Sequence, residues 1–339
     1  MRSSNIELLR ILAMLMVVNL HTSFMPEELS LDTLTPVIGL DFFRESTSIS
    51  SVNLFVLISG YFSIKWKYKS FASLIFQVFF WVFLIYGLLL VVGIIDFNLK
   101  DFIFRINCLA TAYWFVTAYI GLYLLAPIFN GFAEASVIGG GKKLLQFIAL
   151  FYLLQFYYQP FGNLNFTNGY TILSLSGVYM LGRYIRLTDL SLSRSKTLWG
   201  ILITTLFITL SSIMGVFIGK NLFIYNNPFV VAQTVFIFLY FKGLNIQSKV
   251  INYCASSALA IYLFHMHPDI KQHFYAYAQS LYTYSIFMHF IMLIVIFVIV
   301  FAFAIIVDKV RLRLFEFLYT KFEVYLTNWR NGRNSKIYS

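Results

Sequence analysis

Residues 3–24 read SSNIELLRILAMLMVVNLHTSF, and the run at 11–20 decides the class of fold. It carries no charge, yet Glu7 and Arg10 stand at one end of it and His21 at the other. A secretory leader would close on a small-residue cleavage site, and none follows here, so the segment is expected to be a retained first membrane span. The rest of the chain supports that expectation. Of its 339 residues 60% are hydrophobic, 19% aromatic and 12% charged, where a soluble domain carries about a quarter charged residues. A water-soluble globule is thereby excluded. The net charge of +11 would raise the question of nucleic acid in a soluble protein. In a chain this apolar it reports instead on which side of a membrane each loop sits. Two cysteines, Cys108 and Cys254, provide neither a disulfide framework nor a metal-spaced set.

A spanning helix needs roughly 17–25 mostly apolar residues. Marking where charge and Pro, Gly or Asn clusters interrupt the hydropathy predicts an all-α polytopic membrane protein of about ten spans, at 6–24, 48–64, 71–95, 110–129, 144–160, 169–186, 198–217, 228–243, 250–267 and 285–307. With both termini in the cytoplasm, 19 basic residues fall inside and 5 outside, the latter Arg44, Lys100, Arg105, Lys220 and Lys271. The positive-inside rule favours that topology. Acidic residues mirror it, with Glu27, Glu28, Asp32, Asp41, Glu45, Asp96, Asp101 and Asp269 outside. The segments about 25–47 and 268–284 read as outer loops too short to form a core. Residues 1–309 are therefore expected to form one membrane-embedded domain. Residues 310–339 read as a basic cytoplasmic tail, an amphipathic helix with Phe315, Leu318 and Phe322 on one side, lying against anionic lipid.

Ionisable residues inside a span are costly and mark function by default. Arg10 and His21 are eleven positions apart, close to three helical turns, which places them on one face about 16 Å from each other. Two readings compete for the pair. In the plain one, Arg10 pairs with Glu7 at i,i+3 and His21 sits at the outer headgroup boundary. In the functional one, a permanently charged guanidinium holds a phosphorylated donor, and an imidazole activates an acceptor hydroxyl.

The stretch Asn5-Ile6-Glu7-Leu8-Leu9-Arg10-Ile11-Leu12-Ala13-Met14 followed by His21 resembles the opening helix of acyltransferase family 3, whose mark is Arg or Lys, ten intervening residues, then His. Three further stretches resemble the family in order. They are Asn53-Leu54-Phe55-Val56-Leu57-Ile58-Ser59-Gly60-Tyr61, then Tyr113-Trp114-Phe115 through Tyr119, Tyr123 and Pro127, and finally Ser257-Ala258-Leu259-Ala260-Ile261-Tyr262-Leu263-Phe264-His265. The family consists of integral-membrane proteins that acylate mostly extracytoplasmic sugars.

The resemblance implies an O-acyltransferase of a bacterial cytoplasmic membrane. It would move acetyl from cytoplasmic acetyl-CoA, as co-substrate, to a hydroxyl of a cell-surface or capsular polysaccharide. His21 and Arg10 are then the catalytic residues, His21 as general base or as carrier of the acyl group, and Arg10 holding the donor or orienting the surroundings of His21. Lys65, Lys67, Lys69, Arg183 and Arg186 are the other candidates for the donor's phosphates. Tyr119, Tyr123, His265 and Asn53, where many relatives carry Asp, are candidates for the acceptor. No metal and no nucleic acid are expected. His265 and His267 lie about 200° apart on a helix, and no Cys or Asp set accompanies them. A flippase or transporter of a lipid-linked sugar is the rival from another class, using the same cations for a pyrophosphate. A polysaccharide polymerase is a third reading, disfavoured by the lack of a large outer loop.

Overall fold

The computed structural model describes residues 3–23, 36–158, 166–219 and 222–337. Among them the chain forms α-helices, with two short 3-10 turns and no strand. The helices are α1 (Ser4–Leu20), α2 (Pro36–Ser48), α3 (Ser51–Phe62), α4 (Tyr68–Val91), α5 (Leu99–Ile106), α6 (Cys108–Thr111), α7 (Trp114–Ser136), α8 (Lys142–Tyr158), α9 (Ile172–Leu187), α10 (Arg194–Phe217), α11 (Pro228–Lys242), α12 (Lys249–Ala255), α13 (Ala258–His265), α14 (Lys271–Ser280) and α15 (Ile286–Ile337). Backbone polar groups in hydrocarbon must find partners within their own segment, so an apolar chain of this kind resolves into helices. Four stretches are long and apolar enough to cross a membrane: α4, α7, α10 and residues Ile286–Trp329 of α15. The protein is an all-α membrane protein. Shorter helices cover the other six predicted spans, and the ninth is divided between α12 and α13.

The first helix sits at the centre, packed against α2, α3, α11, α12 and α13. Leu9 and Ala13 join a core with Leu54 and Leu57 of α3 and Tyr179 of α9. Met14, Val17 and Val18 join a second core with Trp81 of α4 and with Ala260 and Leu263 of α13. In lipid, tight packing rather than water exclusion holds helices together, and small residues permit it. Gly60 of α3 and Gly182 of α9 supply that closeness. A Cβ at Gly60 would lie 2.2 Å from the carbonyl oxygen of Tyr179, and one at Gly182 would lie 2.3 Å from that of Leu57.

The structure adds burial and pairing to the charge map. The stretches read as outer loops carry α2 and α14, which bury Phe42 and Phe274. Arg44, counted as an outer loop charge, is buried and paired with Asp41 at 2.9 Å. Arg311, counted with the tail, is buried and paired with Asp308 at 2.8 Å, and Gln77 Nε2 donates to the same carboxylate at 3.1 Å. Both are i,i+3 pairs on one helix, which in sequence look like ordinary flanking charge. The helix α15 continues through residue 309 without a break, and Phe315 packs on Phe76 of α4 while Leu318 and Phe322 are exposed. Arg2, Glu27, Glu28, Asp32 and Lys220 lie outside the described residues.

Candidate active site

A cavity of about 360 Å³ runs along α1 between the two cores. Arg10, Met14, Val17, Leu20 and His21 form one wall, so the stripe read from the sequence faces a single open space. Ser70 and Leu74 of α4, Tyr123 of α7 and the Ala255–Ser256 bend line it with Arg10. Trp114, Tyr225 and Tyr262 line it with His21. Between them Ser59 and Tyr119 share a hydrogen bond of 3.1 Å.

At its Arg10 end the ion pair of the plain reading forms, and the guanidinium also faces the cavity. The guanidinium donates through Nη1 to Glu7 Oε1 at 3.0 Å and still lines the cavity, with its side chain 31% exposed. Glu7 is buried, and its Oε2 has no hydrogen-bond partner among the described residues. The carboxylate thus tethers a cation that keeps part of its surface toward the opening.

At the other end, the structure builds a frame around His21. Nδ1 of His21 lies 3.0 Å from Nε2 of His265, and the ring of Tyr275 from α14 stands 6.2 Å away. The turn that follows is clamped. Arg44 donates to the Thr22 carbonyl at 3.1 Å and to its hydroxyl at 3.3 Å, and also to Tyr282 at 3.1 Å. Asn19 donates to Ser48 at 2.9 Å. The buried Arg44–Asp41 pair therefore fixes the end of the helix that carries the imidazole.

A family model described as an acyltransferase domain matches residues 3–308. The chain belongs to acyltransferase family 3. Comparisons with curated proteins and with solved structures gave no match. As a member of this family it is a membrane acyltransferase, and its candidate residues divide by position. Arg10, His21, Tyr119 and Tyr123 all line the cavity of this acyltransferase. Lys65, Lys67 and Lys69 are exposed on the loop beside it and at the start of α4. Tyr123 ties that loop to the cavity wall, its hydroxyl accepting from Lys67 N at 3.3 Å and donating to the Lys65 carbonyl at 3.2 Å. Lys69 reaches Glu316 of α15 at 2.7 Å.

The other candidates stand away from the opening. Arg183 is buried against Glu134 at 2.9 Å, and Arg186 reaches the hydroxyl of Tyr61 at 3.3 Å. Asn53 is buried and donates to the Tyr225 carbonyl at 2.7 Å, so it positions a lining residue. His265 is fully buried behind His21. Among the described residues no group of three or more His, Cys, Asp or Glu could hold a metal ion.

Sequence reasoning did not single out Tyr225, which stacks with Trp114 at 5.8 Å. Its only signal is its place before Asn226-Asn227-Pro228, where Asn227 caps α11 by accepting from Phe229 N at 2.9 Å.

Proposed function

We propose that the protein transfers acetyl from acetyl-CoA to a sugar hydroxyl of a cell-surface or capsular polysaccharide, acting in a bacterial cytoplasmic membrane. The observation that carries this reading is the single cavity with Arg10 at one end and His21 at the other. The donor enters from the cytoplasm, where Lys65, Lys67, Lys69 and Arg10 attract its phosphates. Its acyl arm extends along α1, and the separation of about 16 Å is roughly half of a ~30 Å hydrocarbon core. The acceptor approaches from outside, against Trp114 and Tyr225, whose faces suit the apolar side of a sugar ring.

At His21 the imidazole takes the proton of the acceptor hydroxyl as that oxygen bonds to the thioester carbonyl carbon. The carbon–sulfur bond then breaks, and the departing thiolate receives the proton from the imidazolium. Ester and free thiol are the products, and His21 returns to its neutral form.

The test is NMR of polysaccharide purified from cells expressing His21→Ala or Arg10→Ala protein at normal membrane levels. Loss of the O-acetyl signals is expected in both. Retained signals in the His21 variant overturn the catalytic assignment.

A further inference from the structure

Two contacts of His265 determine which nitrogen of His21 faces the reactants. Nδ1 of His265 lies 2.6 Å from the carbonyl oxygen of Ile261, one helical turn back on α13. A carbonyl oxygen only accepts, so this Nδ1 carries a proton. His265 is fully buried, with His21 before it and the rings of Tyr262 and Phe274 against its sides. Among the described residues no carboxylate contacts this ring to compensate a second proton, so the ring is neutral and its Nε2 bears a lone pair. The nitrogen of His21 that meets it at 3.0 Å must therefore donate. A neutral imidazole protonated on Nδ1 has its free lone pair on Nε2.

We infer that His265 is a positioning residue that holds His21 as the Nδ1–H tautomer and so makes Nε2 the base of the reaction. The inference rests on the acyl-transfer reading above. During transfer the proton moves from the acceptor oxygen to Nε2 and then to the thiolate sulfur, while the Nδ1 proton stays in place. The hydrogen bond to His265 becomes charge-assisted while His21 is an imidazolium. Serine hydrolases assign the same orienting task to a buried carboxylate. Here an imidazole anchored on a backbone carbonyl performs it, and among the described residues no carboxylate contacts the His21 ring. The burial that makes this possible comes from α14, which supplies Phe274 against His265 and Tyr275 against His21.

The primary test is ¹⁵N NMR of the full chain, labelled at histidine and held in lipid nanodiscs, with His21 assigned from the spectrum of His21→Gln. The expected result is a protonated Nδ1 and a bare Nε2 on His21. An Nε2–H form overturns the proposal. Kinetics supply the second arm, reading thiol release from acetyl-CoA in the presence of purified host polysaccharide. His265→Phe fills the volume but offers no acceptor, and kcat should fall about 100-fold with KM for acetyl-CoA little changed. His265→Gln, whose amide oxygen accepts a hydrogen bond, should recover part of that loss. A wild-type kcat in His265→Phe overturns the proposal, and if that variant fails to reach the membrane the wild-type spectrum decides. The two layers separate cleanly. An Nε2–H form together with an inactive His21→Ala protein removes the role of His265 and leaves acyl transfer standing. Full transfer by His21→Ala removes both.

Discussion

Arg10 and His21 face one cavity from positions eleven residues apart on the same helix. The spacing makes α1 a wall of the cavity with a cation toward one end and an imidazole at the other. Arg10 meets Glu7 through one nitrogen and the opening with the rest. If it holds a phosphate of the donor, Arg10→Ala should raise KM for acetyl-CoA about 10- to 100-fold, the worth of one charged hydrogen bond or two. Arg10→Lys keeps the charge but not the planar fork and should fall between. Thiol-release kinetics in nanodiscs measure both, and an unchanged KM would remove Arg10 from the donor site.

The contact of α3 with α9 has no room for a methyl group at Gly60 or Gly182. Gly60→Ala and Gly182→Ala should each lower stability by about 1–3 kcal/mol, because the obstacle is backbone rather than a mobile side chain. Gly87 of α4 has open space at the same position and serves as control. Thermal unfolding in detergent should show a lowered Tm for the first two and none for Gly87→Ala.

Removing one member of a buried ion pair costs more than removing both. Asp308→Ala leaves the Arg311 guanidinium buried without its carboxylate, and the expected loss is about 3–5 kcal/mol. The double variant Asp308→Leu, Arg311→Met should recover most of the lost Tm. Equal melting of the single and double variants would contradict this.

Glu45 lies on α2, outside the predicted spans. Burial pushes its carboxyl up from 4.5 to about 8, opposed by Arg44 and reinforced by Asp41. Between those values the folded protein keeps a proton that the unfolded chain releases, so stability falls as pH rises through the window. Glu45→Gln removes that titration. The wild-type Tm should therefore drop relative to the variant between pH 5 and about 8. A difference independent of pH would show that Glu45 is ionised throughout.

The stripe from Arg10 to His21 was legible because it depends only on helical period, and the class of fold because it depends only on hydropathy. The histidine pair was not. His265 stands 244 positions from His21, and only the packing of α13 on α1 joins them. The burial of Arg44 and Arg311 was hidden for a different reason. Reading topology from charge assumes that a basic residue beside an apolar run faces water, and a carboxylate three positions earlier on the helix removes that need. Asn53 shows a third limit: the resemblance named it as a candidate for the acceptor, and its partner, the carbonyl of Tyr225 on a distant loop, could not be read from the sequence.

Along α15 the buried side chains His289, Leu293, Val300, Ala304, Asp308, Arg311 and Phe315 follow one seam against the bundle. Among the described residues no buried side chain follows Phe315 on this helix. The edge of the cooperative unit is therefore set by that seam and not by the end of the hydropathy at 307. A chain ended after residue 316 retains every buried side chain of α15 among the described residues. One ended at 307 strips the carboxylate from Gln77 and the aromatic cover from Phe76, both on the helix whose Ser70 and Leu74 line the cavity.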